Sequence, residues 1–221
     1  MRATLAFEQV PLAGTEPLTF DVPGHAAVSV VGAEASGVGL LGRYALALEV
    51  LPAGRVLVLG EDPSHLPRRA LLAFRRRVGY LPAGDGLLQN LSLYDNVALP
   101  LRFGTALSER EIAGRIAVAL TMVGLSAAAQ WRPAKANEEQ RRRAALARAL
   151  TFDPELVILE QPFDGMTTRT AAELLELARG GESAAGARRA VFVIGQDLPA
   201  MLRPRVEIRY RLVQGRLERE N

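Results

Sequence analysis

Three short apolar segments constrain the fold of this chain more than any other feature. They are AVSVV (27–31), ELVILE (155–160) and AVFVIG (190–195). The last two are continuous apolar runs, which are typical of strands covered on both faces in a parallel sheet. Because helical patterns such as EEQRRRAALARALTF separate the strands, the sequence predicts an α/β fold with a parallel core.

The remaining elements predict one domain over residues 1–221. Short strands read from ATLAFEQV and LTFDV predict an N-terminal β-subdomain, and VEIRYRLVQGRLERE predicts a closing hairpin with its turn at Gln214 and Gly215. A helix is predicted over LLGRYALALEV, and another follows the capping box of Ser108 and Glu111. We expect residues 1–90 and 151–221 to form the α/β core and residues 91–150 to form a helical subdomain.

The inventory of reactive side chains is narrow. Of 27 lysines and arginines only Lys135 is a lysine, there is no cysteine, and the two histidines are His25 and His65. A thiolate metal site is therefore excluded, and imidazole chemistry has few residues to use. Acidic residues spread among the arginines hold the net charge at +3, so the arginine runs 75–77 and 141–143 are interpreted as solvated helix faces and not as a nucleic-acid site.

No membrane span is predicted. Charged residues interrupt the long apolar region 28–59 at Glu34, Arg43, Glu49 and Arg55, whereas a bilayer-spanning helix needs about 18 or more uncharged residues. With no apolar run of signal-peptide length at the N-terminus, the sequence predicts a cytoplasmic protein with no direct membrane insertion.

A glycine-rich loop follows AVSVV and fits two templates. Gly37, Gly39 and Gly42 form G-x-G-x-x-G, the dinucleotide-binding fingerprint, and Glu61 or Asp62 is then the candidate for the ribose hydroxyls. This template implies a Rossmann-type NAD(P)-binding oxidoreductase.

The second template is the phosphate-binding P-loop, G-x-x-x-x-G-K-[ST]. Gly32 and Gly37 have the required spacing, but Val38 and Gly39 stand where the motif has lysine and a hydroxyl residue. From the loop alone both templates remain open, and a purely structural turn is equally consistent with it.

The chain from Arg75 onward resembles the nucleotide-binding subunit of ABC transporters, segment by segment and in order. RRRVGYLPAGDGLLQNLSLYDNVALPLRF is similar to the Q-loop segment, and RRRAALARALTFDPELVILEQPF to the signature helix and the Walker B strand. AVFVIGQDLPAM is similar to the switch-histidine strand. The resemblance implies a P-loop NTPase-like fold, and DNVALPLR is most similar to ATPases of bacterial lipid-trafficking transporters.

The resemblance also assigns roles, and the residues present depart from them. In the family the P-loop lysine neutralises phosphate charge and the next hydroxyl ligates Mg²⁺, whereas this chain has Val38, Gly39 and Leu40 there and a carboxylate, Glu34, inside the loop. Val38 and Gly39 supply neither function.

The catalytic positions depart as well. Ala83 replaces the Q-loop glutamine, and Glu160 replaces the Walker B aspartate, so no metal site is intact. Gln161 replaces the glutamate that acts as general base, and Gln196 replaces the switch histidine. An amide cannot accept a proton at neutral pH.

The signature segment is the last departure. The family's L-S-G-G-Q corresponds to Ala136, Asn137, Glu138, Glu139 and Gln140. In the family this segment holds the γ-phosphate bound to the opposite protomer, and two glutamates in place of glycines oppose phosphate by bulk and by charge.

Taken together, these departures predict a non-hydrolysing pseudo-ATPase that docks on a membrane permease at the cytoplasmic face, beside a second ABC subunit that is identical or a competent paralogue. A weak residual ATPase is the alternative, with Mg-ATP as cofactor only if the family function is retained. Lysine at position 38 with serine at 39 is expected to recover some phosphate affinity. The permease is expected to contact apolar side chains of the Q-loop segment, namely Leu87, Leu88, Leu91, Leu93 and Tyr94.

Overall fold

The computed structural model describes residues 3–180 and 188–220. The strands are β1 Ala3–Val10, β2 Leu18–Pro23, β3 Ala27–Val31, β4 Arg55–Val58, β5 Val78–Leu81, β6 Leu156–Glu160, β7 Ala190–Gly195, β8 Ile208–Val213 and β9 Arg216–Glu220. The α-helices are α1 Leu40–Ala45, α2 Arg68–Arg75, α3 Leu93–Gly104, α4 Glu109–Met122, α5 Glu138–Leu150 and α6 Thr168–Arg179.

The main sheet has six strands in the order β5-β6-β7-β3-β8-β9. The first five run parallel, and β9 closes the edge as the antiparallel partner of β8. Every residue of β3, β6 and β7 is buried, as their apolar runs predict for strands covered on both faces. The predicted parallel α/β core is confirmed.

This topology removes the oxidoreductase alternative. In a Rossmann fold the strand after the glycine-rich loop pairs with the strand before it, but here β4, which precedes Glu61 and Asp62, belongs to a separate sheet ordered β2-β1-β4. Glu61 instead pairs with Arg77 at 2.7 Å, and Asp62 accepts a hydrogen bond from the Ser64 amide. The dinucleotide interpretation of the glycine loop is therefore wrong.

The small antiparallel sheet covers one face of the main sheet. Phe7 and Phe20 stack with their ring centroids 4.7 Å apart, and both lie within 6 Å of Phe192 on β7. On the opposite face, α3, α4, α5 and α6 share one apolar cluster with β5, β6 and β7. The division into a core and a helical subdomain over 91–150 stays a prediction.

Helix α1 is shorter than the sequence predicts, because it ends at Ala45 and not near Val50. Ala47 adopts a positive φ of 48°, and the amides of Ala47 and Leu48 donate to the carbonyls of Tyr44 and Arg43. These bonds form a Schellman motif, which satisfies the last carbonyls of a helix and terminates it. The motif was not evident because alanine stands where glycine is usual.

The described residues contain neither a membrane-spanning helix nor a metal-binding cluster. Within ranges 3–180 and 188–220, no helix combines the length and the apolar character needed to cross a bilayer. The same residues contain no group of three or more histidine and acidic side chains arranged to hold a metal ion.

Candidate functional site

The predicted site residues meet at the carboxyl edge of the main sheet, where parallel α/β folds bind ligands. The Gly32 amide donates to the Gly195 carbonyl at 3.0 Å, and the Gln161 amide donates to the Ile194 carbonyl at 2.7 Å. These bonds place the glycine loop, the end of β6 and the end of β7 side by side. Gln161 and Gln196 therefore flank the loop, as the resemblance implies.

Several backbone amides of the loop between β3 and α1 donate hydrogen bonds to carbonyls of the same loop. The Ser36 amide donates to the Ala33 carbonyl at 2.9 Å, and the Gly37 amide donates to the Glu34 carbonyl at 3.1 Å. Leu40 donates to the Gly37 carbonyl at 2.9 Å. A phosphate cradle depends on backbone N–H groups that point at the anion. In this conformation those three amides are committed within the loop, and exposed Glu34 stands at its surface.

Val38 takes the position of the P-loop lysine and faces inward. Its side chain is 4% exposed and belongs to the apolar cluster under the small sheet. A β-carbon built on Gly32 would lie 3.0 Å from Val38 Cγ1, so valine fills the space directly beneath the loop. The side chain at this position contributes to the core and brings no positive charge to the loop.

Glu160 carries the only carboxylate among the three catalytic positions 160, 161 and 196. It ends β6 with 8% exposure. Its Oε2 accepts hydrogen bonds from the Tyr80 hydroxyl at 2.7 Å and from the Ala83 amide at 3.2 Å. Burial first, and then the bond to Glu160, raises the pKa of Tyr80 far above its usual value. Glu160 is thus held by a phenol and an amide of the neighbouring strand end.

Sequence reasoning missed Tyr80. The signal that could have found it is its place in β5, which runs parallel to β6 with Tyr80 opposite Ile158. A hydroxyl one residue before the end of that pairing lies close to a carboxylate at the end of β6. Nothing in the one-dimensional pattern marks this proximity, because the two residues are 80 positions apart.

Gly39 lies directly against Glu160. A β-carbon on Gly39 would stand 2.8 Å from Glu160 Oε1, closer than real β-carbon contacts. Position 39 is where the family has the metal-ligating hydroxyl residue. Glu160, which is one methylene longer than the family's aspartate, therefore occupies space that a serine side chain would need. The gain of phosphate affinity expected for lysine at 38 with serine at 39 stays a prediction, and this contact leads us to expect it only once Glu160 is shortened.

Arginines of α5 hold the Q-loop segment in place through an ion pair and hydrogen bonds. Arg141 Nε pairs with Asp85 Oδ2 at 3.0 Å, and Arg148 donates to the Gly86 carbonyl at 2.7 Å and to the Asp85 carbonyl at 3.0 Å. Arg142 is 4% exposed and donates to the Pro82 carbonyl at 3.4 Å. The interpretation of 141–143 as a solvated face is wrong, because these long side chains satisfy carbonyls that helix packing buries.

The signature-equivalent segment forms the capped start of α5. Asn137 accepts from the Gln140 amide at 2.8 Å, and Gln140 accepts from the Asn137 amide at 2.9 Å. Glu139 pairs with Arg143 at 3.0 Å, whereas exposed Glu138 directs its carboxylate at Gly165, in the loop after β6. Arg143 offsets the charge of Glu139, whereas no ion pair of Glu138 is found among residues 3–180 and 188–220.

The predicted docking surface is smaller than the sequence suggests. Leu88 is 49% exposed, but Leu87 is 6% exposed and Leu93 is fully buried. Asn96, also fully buried, accepts from the Leu88 amide at 2.7 Å and donates to its carbonyl at 3.0 Å. Leu87 and Leu93 therefore belong to the core, and Asn96 positions Leu88 as the outward-facing apolar side chain of this turn.

Mg-ATP does not fit this set of residues. The lysine position is a buried valine, the hydroxyl position is a glycine against a carboxylate, and the exposed charge in the loop is Glu34. Each of these opposes polyphosphate binding, which relies on charge-assisted hydrogen bonds. A cavity of about 970 Å³ lies elsewhere, along α6 and beside Met122, Arg188 and Met201, and no residue of the predicted nucleotide site lines it.

Comparison with known proteins gives a consistent family. A family model described as ABC transporter matches residues 15–164. The methionine import ATP-binding protein MetN 2 of Pseudomonas aeruginosa is 32% identical over 162 residues, 73% of this chain and 48% of the relative. The intermembrane phospholipid transport system ATP-binding protein MlaF of Escherichia coli is 33% identical over 149 residues, 67% of this chain and 55% of the relative. The chain spans about half the length of the curated relatives it matches.

The solved structures agree on the fold. The dimeric structure of MJ0796, a bacterial ABC transporter cassette, superposes with a TM-score of 0.86 at 23% identity, over 98% of this chain and 97% of that one. At this identity the likeness concerns the fold alone. The predicted P-loop NTPase-like fold of the ABC type is confirmed.

Proposed function

Because this chain belongs to the ABC transporter family, we propose that it is a nucleotide-binding-type subunit that docks on a membrane permease without hydrolysing ATP. Its partners are the permease and a second ABC subunit, and it lies peripherally at the cytoplasmic face. The relatives are ATP-binding proteins of methionine import and of phospholipid transport. The segment DNVALPLR supports lipid as the transported class.

One observation carries the loss of catalysis, the pair of substitutions at Val38 and Glu160. The first puts a buried apolar side chain where phosphate binding needs a cation, and the second puts a carboxylate against the position of the metal-ligating hydroxyl. Gln161 and Gln196 complete the set, since neither amide can take a proton from water.

Isothermal calorimetry of the purified chain with Mg-ATP tests the first half of the proposal, with NAD as the control ligand. We expect no binding heat for either nucleotide at ligand concentrations up to the millimolar range. A micromolar dissociation constant for Mg-ATP, together with steady phosphate release, would establish the residual ATPase instead.

Capture of the permease tests the second half. From detergent extracts of the native host, the chain is expected to retain a multispanning membrane protein identified by mass spectrometry. Leu88→Asp should abolish this capture, because a buried carboxylate without a partner is costly at an apolar interface. Val118→Asp is the matched control, since Val118 is 70% exposed on α4. Equal capture by both variants would remove the docking assignment.

A further inference from the structure

Positive charge is unevenly distributed along the chain. Residues 63–84 contain five arginines and no aspartate or glutamate, in a protein with 24 acidic residues among 221. Helix α2 lies inside this segment. Glu61 and Glu155, from outside the segment, pair with Arg77. The other four arginines leave a local excess of positive charge, which suits an anionic partner even when the net charge is small.

The first turn of helix α2 lacks the residues that stabilise an isolated helix. Pro67 at its N-cap makes no side-chain hydrogen bond to the first turn, which contains no acidic residue. Arg68 and Arg69 occupy that turn instead, where the positive end of the helix dipole disfavours cations. Residues that destabilise their own helix are expected where a surface binds a ligand.

The outward face of α2 combines arginine with leucine. Arg68, Arg69, Leu72 and Arg76 are all exposed, and their spacing of three and four residues places them together. Leu72 is 52% exposed at the centre. Across residues 3–180 and 188–220, no carboxylate lies within ion-pair distance of these three arginines; Arg76 contacts the uncharged Phe152 ring.

The loop after α1 is anchored to α2 by Arg75 and carries exposed aliphatic side chains on either side of Glu49, which pairs with Arg43. Arg75 fixes the loop by donating to the Leu46 carbonyl at 3.0 Å and to the Ala47 carbonyl at 2.9 Å. Beyond these anchors Leu48 is 46% exposed and Val50 is 88% exposed. We call the combined set the α2 surface, which consists of Leu48, Val50, Arg68, Arg69, Leu72 and Arg76.

We propose that the α2 surface binds the anionic headgroups of a lipid bilayer. Arginine recognises phosphate through paired N–H donors, and aliphatic side chains among the arginines suit the boundary between headgroups and acyl chains. A nucleic-acid partner does not account for exposed Leu72 and Val50. A lipid bilayer accounts both for the arginines and for the aliphatic side chains. The proposal goes beyond docking on a permease, because it requires no second protein.

Vesicle flotation of the full chain tests this proposal. The probes are vesicles of phosphatidylcholine alone and of phosphatidylcholine mixed with anionic phosphatidylglycerol, at low and at near-physiological salt. The chain is expected to float with the anionic vesicles only and to bind less as salt rises. Arg68→Glu with Arg69→Glu should weaken this binding at least about tenfold.

Matched variants separate the surface from general charge. Arg110→Glu with Arg115→Glu makes the same charge change on exposed positions of α4 and should bind as the wild type does. Leu72→Ser should weaken binding with the arginines intact, and circular dichroism confirms folding throughout. Equal loss in both double variants, equal binding to neutral vesicles, or no flotation at any salt would each overturn the proposal.

Discussion

Glu160 and Gly39 occupy complementary space, since the carboxylate oxygen Oε1 lies 2.8 Å from where a β-carbon on Gly39 would stand. The two residues therefore constrain each other. Glycine at 39 leaves room for the long acidic side chain, and a larger residue there requires Glu160 Oε1 to shift while Oε2 is held by Tyr80 and Ala83. We therefore expect a repair of this nucleotide site to need changes at both positions.

The first prediction follows from that constraint. Val38→Lys with Gly39→Ser is expected to gain no measurable Mg-ATP affinity by calorimetry. Adding Glu160→Asp, which withdraws the carboxylate by one methylene, should allow binding, because the lysine then supplies the missing charge-assisted contact.

Neither repaired variant should turn over ATP, because Gln161 remains an amide. The control is Val38→Met with Gly39→Ser and Glu160→Asp, which fills similar volume without charge. Binding by the double variant, or by the methionine control, would contradict the role assigned to Glu160.

The second prediction concerns stability at high pH. Because burial and the Glu160 bond raise the pKa of folded Tyr80 above the ordinary 10.0, its neutral form stabilises the fold. That contribution is complete below about pH 10 and is lost as the pH rises further. Urea midpoints should therefore fall above pH 10 less steeply in Tyr80→Phe than in the wild type.

Few other groups titrate in this window, since the chain has four tyrosines and one lysine. Tyr94→Phe is the matched control, because no hydrogen bond to a carboxylate is seen for Tyr94 in the described part of the chain. A Tyr80→Phe profile parallel to that of the wild type would show that Tyr80 does not titrate differently on unfolding.

The third prediction is that Arg148 fastens the Q-loop segment. Arg148→Ala removes the hydrogen bonds to the Gly86 and Asp85 carbonyls and should cost about 2 kcal/mol. Hydrogen exchange measured by mass spectrometry should accelerate over residues 84–89 while β6 and β7 remain protected. Arg110→Ala, at an exposed position of α4, should leave the exchange pattern unchanged, and uniform acceleration would indicate global destabilisation instead.

The fourth prediction assigns Asn96 a positioning role. Asn96→Ala leaves the partly buried Leu88 amide and carbonyl without their partner and should destabilise the chain by about 1–3 kcal/mol. Permease capture should weaken as well, because Leu88 loses its fixed orientation. Exposed Asn90 provides the control variant Asn90→Ala. Normal capture by a folded Asn96→Ala protein would show that Leu88 does not need this support.

Much of the fold was predictable because its signals are local. The continuous apolar runs of β6 and β7, the capping box of Ser108 and Glu111, and the hairpin turn at Gln214 and Gly215 each depend on neighbouring residues. Helix α2 had no such signal, since arginines occupy its first turn and no side chain caps it. Local start rules therefore could not predict it.

The absence of a P-loop lysine and of a switch histidine could be read directly, because an inventory of side chains does not depend on the fold. Only the tertiary structure decided which side chains surround the positions where they are missing. The bond between Tyr80 and Glu160 joins residues 80 positions apart, and the pair of Arg141 with Asp85 spans 56. Such contacts depend on how parallel strand ends and α5 pack together, because side-chain distances across a core are set by packing geometry and not by spacing along the chain.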